Sequence, residues 1–149
     1  MSEDEIDQLI REQILCRIAF KRENYPYVAP FQYVYMNGSI YFHFTDYGRK
    51  MSLLERDKRV CVEIEIYEKD LSKYRFVVLT GKLKVVTDSQ ERAQVIKRMT
   101  EEGKRKLSEN FLAAHGLKPE QGWLALAHER PLVVVKLDEV VERIGLKSP

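Results

Sequence analysis

The hydrophobic pattern changes period several times along the chain, and each change marks an element. Ile6, Leu9 and Ile10 recur at helical spacing behind Ser2-Glu3-Asp4-Glu5, a capping-box order in which a serine and the glutamate three residues on satisfy each other's backbone donors. Residues 14–20 switch to a strand-like apolar run. A second strand is expected over 27–36, with Tyr27, Ala29, Phe31, Tyr33 and Tyr35 on one face and Val28, Pro30, Gln32, Val34 and Met36 on the other. Asn37-Gly38 follows, the pair that best tolerates the positive φ of a tight hairpin. Residues 39–45 return antiparallel, setting Ile40, Phe42 and Phe44 against Tyr41, His43 and Thr45. A helix of two to three turns is expected over 49–55. Val60, Val62, Ile64 and Ile66 then alternate with Arg59, Cys61, Glu63 and Glu65, a strand with one wet face. Residues 74–86 form a long strand with Gly81 inside it, where a sheet bends or bulges. Asp88 and Glu91 make a second capping pair before a helix carrying Ala93, Val95, Ile96 and Met99. Residues 107–114 are expected to be helical, stopping at Gly116, and 132–137 to be a final strand with a polar tail over 140–149.

Six strands in hairpin order with only short helices predict a mainly β, α+β fold: a small antiparallel barrel plugged by helices. No repeat, linker or low-complexity segment interrupts residues 1–149, so one domain is expected, and 44% apolar residues are enough to build its core. The balance of 25 cations against 23 anions gives no overall nucleic-acid or membrane signature. Lys97-Arg98 and Lys104-Arg105-Lys106 are diluted by Glu101, Glu102 and Glu109, and read as solvated helix faces. Cys16 and Cys61 have neither disulfide nor metal spacing, the N-terminus opens acidic and polar, and no apolar run approaches bilayer length. A cytoplasmic protein is expected.

The strand at 27–36 is largely apolar on both faces, so both need cover. A flat aromatic ligand, a second subunit or the chain's own helices would each supply it. Pro30 donates no ladder hydrogen bond, which puts its part of the strand at an edge or beside a ligand.

Candidate chemistry concentrates in residues 40–50. Strand residues run into Asp46-Tyr47, then Gly48-Arg49-Lys50 and a helix start. Free backbone N–H groups, the positive end of a helix dipole and two adjacent cations outline a phosphate pocket, with Thr45 and His43 on the approaching strand. A solvated basic turn would show the same three residues.

Pro26-Tyr27-Val28-Ala29-Pro30, Asn37-Gly38-Ser39-Ile40-Tyr41-Phe42-His43 and Gly48-Arg49-Lys50, in that order and spacing, resemble the pyridoxamine 5′-phosphate oxidase-related FMN-binding split-barrel family, in its branch with the nitroimidazole-resistance reductases. Residues 74–82 match that branch's long strand. The resemblance covers residues 1 to 87 and implies a six-stranded antiparallel split β-barrel with short flanking helices, a homodimer, and one FMN in each interfacial groove. It implies that Arg49 and Lys50 hold the FMN phosphate, that Gly48 admits close backbone approach, and that Thr45 adds a hydroxyl. Phe42, His43 and Phe44 would run beside the ribityl chain, and Val28, Ala29 and Pro30 would contact the isoalloxazine edge. Where relatives carry small or hydroxyl residues this chain has Phe44 and Phe76, whose rings, if turned into the groove, would shift the ligand.

The implied function is an FMN-dependent oxidoreductase acting on a small molecule, with His43 either donating a proton or hydrogen bond near the flavin or serving the strand structurally. A non-catalytic carrier or sensor of flavin, deazaflavin (F420) or haem is the alternative on the same scaffold. No Rossmann-type glycine turn is present for a nicotinamide. His43, His115 and His128 are too scattered for a metal site, and near-neutral charge disfavours nucleic acid despite Tyr33, Tyr35 and Tyr41. Trp123 is either a core residue or a ring donated across the dimer to the partner's flavin.

Overall fold

A computed structural model describes residues 1–106 and 132–149, together with Ser108 and Asn110. Its elements are α1 (Glu3–Glu12), β1 (Leu15–Phe20), β2 (Tyr27–Met36), β3 (Ser39–Thr45), α2 (Arg49–Arg56), β4 (Arg59–Tyr67), β5 (Tyr74–Val85), α3 (Ser89–Lys106) and β6 (Leu132–Lys147). The strands close a barrel in the order β1-β2-β3-β6-β5-β4, every pairing antiparallel. The expected helix over 107–114 and Trp123, His115 and His128 lie outside the described residues.

Alternation builds the interior. Ile18, Phe20, Ala29, Phe31, Ile40, Phe42, Phe44, Val60, Val62, Ile64, Val77, Leu79 and Leu83 all point inward and are buried. Rings of Phe20, Phe31, Phe42 and Phe44 contact one another at centroid distances from 5.0 to 6.3 Å. Ile66, expected on that inner face, is instead 41% exposed at the far end of β4, beyond the reach of the core.

α1 closes one end of the barrel. Its capping box is formed by Ser2 and Glu5, and Ile6, Leu9 and Ile10 are buried. Tyr33 donates its hydroxyl to the Ile10 carbonyl at 2.7 Å, tying β2 to this helix. α3, at 18 residues longer than the short helices expected, packs Val95 and Met99 on the outside of the barrel against Val34, Tyr41, Val86 and Val134. The chain therefore covers the Val34–Met36 end of the second β2 face with its own helix. Val28, at 56% exposure, and Pro30 at the other end stay open.

The expected polar tail over 140–149 is a correction. β6 runs sixteen residues, to Lys147, with Asp138–Lys147 paired along β5. A register shift opposite Thr80–Lys82, with Glu139 at φ 45°, bends the strand there. A Cβ on Gly81 would lie 2.8 Å from the Asp138 carbonyl oxygen, so glycine is what lets the two strands approach at the bulge. Beyond the bend, Ile144 and Leu146 register beside Val78 and Phe76 on the outer surface, an apolar strip that the ion pairs of Arg17 with Glu63 and Glu65 separate from Ala19 and Val28.

Candidate functional site

β2 and β3 are paired only from Tyr33–Phe42 to Met36–Ser39. Before Tyr33, β2 stays with β1, while β3 from Phe42 to Thr45 follows β6. The barrel splits between them. Tyr33 donates its N–H to the Ile14 carbonyl on the β1 side, so the alternation of strand backbone turns the polar groups of Val28, Pro30 and Gln32 toward the split. Pro30 thus lacks a donor where β3 is not there to receive one. The expectation of an edge at Pro30 matches this arrangement.

The N-terminus of α2 sits at the same opening. Gly48 has φ 92°, and no side chain caps the helix. The first helical bond is Ser52 N–H to the Gly48 carbonyl, so the N–H groups of Arg49, Lys50 and Met51 precede it. The space that a Cβ on Gly48 would occupy is empty to 4 Å. The Arg49 guanidinium lies 5.5 Å from the Tyr27 ring centroid, and the Lys50 amine 4.3 Å from that of Phe31. Among the described residues no carboxylate lies within ion-pair distance of either cation. Partial burial pushes the Lys50 amine below its usual pKa, because desolvation penalises the ammonium form. Two uncompensated positive groups beside free N–H donors make an anion-receptive turn, and the residues fit a phosphate monoester.

The other expected residues divide. Thr45 is exposed and donates its hydroxyl to the Tyr47 carbonyl at 2.7 Å, bracing the turn that leads to Gly48. Phe42 and Phe44 are 0% and 2% exposed and fill the barrel, so only their backbone can line a groove. The Phe44 ring does not enter the split; it stacks on Phe31 at 5.0 Å. Ala29 also faces the core, leaving its neighbours Val28 and Pro30 on the outer side. Phe76 is remote from α2 in the sheet order: it lies on the outer face of β5, stacked on Tyr74 at 5.2 Å and registered beside Leu146. His43 is half-buried on the outer face of β3, across from Val134, and is engaged within the fold. It shares that face with Tyr41, whose hydroxyl donates to Glu91 at 2.7 Å and is pushed up to about 12 by burial and then by Glu91.

Sequence reasoning missed Tyr27 and Phe31 as the surfaces beneath the cations. Their shared strand face was readable, but nothing local says that a helix eighteen or more residues on lays its first turn over them.

A barrel split at one seam, with an uncapped helix start and two cations where the seam opens, is a split-barrel architecture. The chain belongs to the pyridoxamine 5′-phosphate oxidase family, whose family model matches residues 2–121. A comparison with curated proteins gives no significant match. Solved structures with the same fold include an FAD-binding protein from Mesorhizobium loti, at TM-score 0.69 and 18% identity over 100% of this chain and 95% of that one. They also include a putative 5-nitroimidazole antibiotic resistance protein from Bacteroides thetaiotaomicron, at TM-score 0.69 and 20% identity over 97% and 82%. A third is the haem storage protein HutZ from Vibrio cholerae, at TM-score 0.67 and 18% identity over 97% and 94%.

Proposed function

We propose that this chain binds FMN at the split and acts as a flavin-dependent oxidoreductase on a small molecule, as a homodimer. The observation that carries the reading is the pair Arg49 and Lys50, uncompensated by any described carboxylate, at a helix start that opens onto the split. Family membership and the FAD-binding solved neighbour support a flavin; a cradle of one helix turn suits a single phosphate, hence FMN. Bound flavin would supply the electron transfer. Arg49, Lys50 and the first N–H groups of α2 would hold the phosphate. The split-facing backbone of Val28, Pro30 and Gln32 would meet the polar edge of the ring, and Val28 would keep water from it. His43, half-buried on β3, would offer a hydrogen bond to substrate.

Replacing both cations removes two charge-assisted contacts, each worth roughly 1.5–3 kcal/mol. Arg49→Ala with Lys50→Ala should therefore weaken FMN at least about a hundredfold in a fluorescence titration, with riboflavin affinity unchanged. Equal FMN affinity in the double variant would end the phosphate assignment. A second reading, haem carriage, draws on the haem storage neighbour and on His43. It would be favoured by a Soret band that His43→Ala abolishes in protein that takes up no flavin.

A further inference from the structure

Arg49 and Lys50 each need to be held in place without losing their charge. A carboxylate would fix either side chain but would cancel the field that draws an anion. An aromatic face fixes a cation through its quadrupole and leaves the charge intact. Tyr27 and Phe31, four residues apart on the inward face of β2, provide two such faces behind the split. We infer that Tyr27 and Phe31 are positioning residues for the phosphate site, each ring holding one cation over the opening; the inference rests on the phosphate reading above.

The rings are themselves immobilised from behind. Phe31 stacks on Phe44 at 5.0 Å with 25° between planes, and meets Phe42 edge-on at 5.9 Å. Tyr27 and Phe31 both lie 6.0 Å from Phe20. Phe44, the ring that would have crowded a ligand had it turned outward, is the rear support of the face on which Lys50 rests. A long lysine loses much rotamer freedom when fixed, so a rest that confines it beforehand reduces the cost of ordering it on binding. The cradle is thereby linked to the barrel core through one stack of rings.

The test compares FMN with riboflavin, which differs only in lacking the phosphate, in titrations of Phe31→Leu, Tyr27→Leu and Phe31→Tyr at one salt concentration. The two leucine variants should each lose about three- to tenfold in FMN affinity with riboflavin affinity unchanged, and Phe31→Tyr should retain both. In a Lys50→Met background, Phe31→Leu should have no further effect on FMN. Tyr27 is only half-buried, so Tyr27→Leu serves if Phe31→Leu fails to fold. Equal losses for both flavins, no loss for either, or a Phe31→Leu effect that persists without the lysine would each overturn the inference. If Arg49→Ala with Lys50→Ala leaves the FMN-to-riboflavin ratio unchanged, the phosphate reading falls and this one with it. If that double variant collapses the ratio while the leucine variants do not, only the positioning role is lost.

Discussion

Two glycines do opposite jobs. Gly48 has open space where a Cβ would go but holds φ 92° with ψ −179°, a region essentially reserved to glycine, so Gly48→Ala introduces backbone strain of roughly 1–3 kcal/mol. Gly81 has no such dihedral, and its constraint is the Asp138 carbonyl 2.8 Å from the would-be Cβ. Gly81→Ala is expected to cost roughly 1–3 kcal/mol by overpacking at the bulge, read as a lower urea midpoint at unchanged slope. Lys50 gives a different kind of prediction. A phosphate monoester gains its second charge near pH ~6, and the Lys50 amine loses its own below the ordinary value of 10.5. FMN affinity should therefore rise through the first transition and decline through the second, at a lower pH than an unperturbed lysine would give. Lys50→Arg, whose charge persists, should remove the alkaline decline. A flat profile above neutrality in the unsubstituted protein would contradict the role given to the amine.

Among the helices, α1 is held by charge as well as by its three buried residues. Glu3 and Asp7 meet Arg143, Glu5 meets Lys147 at 2.6 Å, Glu12 meets Arg75 at 2.8 Å, and the N-terminal amine donates to the Gly145 carbonyl. Ser2→Ala should break the capping box and lower stability by about 1 kcal/mol, seen as a drop in thermal midpoint. This helix was legible in the sequence because cap and apolar period agree within twelve residues. So were β2, β3 and their Asn37-Gly38 turn, where alternation and turn chemistry coincide. The second half of β6 was not. Residues 140–147 are mostly exposed, so they carry no inward period to read; backbone pairing to β5 and contacts with α1 are what make them a strand. The site was half legible for the same reason. Gly48-Arg49-Lys50 is a local signal, whereas the split that gives it a floor depends on where two strands stop pairing.

Ile144 and Leu146, beside Phe76 and Val78, form an exposed apolar strip on the outer face of β5 and β6. A homodimer with two-fold symmetry should bury it, and light scattering at micromolar concentration should report twice the chain mass. A monomer with FMN bound would contradict that arrangement. The acid response follows from several carboxylates acting together. Hydrogen bonds from Lys147 and Ser2 hold Glu5 down to about 2, and Glu12, Asp57 and Glu102 are also lowered. A depressed carboxylate contributes above its unfolded pKa and loses that contribution as pH falls through the folded value, so stability should drop between about pH 4.5 and 2. Glu63 has the opposite sign: burial and the Glu65 charge raise it, so its protonation on acidification relieves a cost. A urea midpoint that stays constant down to pH 3 would show that these pairs leave the folded state no firmer than the unfolded one.

The placement of β6 between β3 and β5 has a consequence for how the molecule comes into being. On the ribosome, the five described strands β1 to β5 are synthesised before the one that joins the two ends of their sheet. Until residues 132–147 emerge, the nascent chain carries two bare sheet edges, one of them beside the Phe42–Phe44 segment that later fills the interior. α1, made before β6, must wait for Arg143, Gly145 and Lys147 to complete its seat, with contacts spanning up to 144 positions. Such long-range closure makes folding slow, on the order of milliseconds to seconds, and keeps the incomplete sheet open to other strands meanwhile. Synthesis stalled before β6 should therefore leave a species that chaperones hold and that aggregates when released, whereas a chain that includes β6 should aggregate less in the same assay.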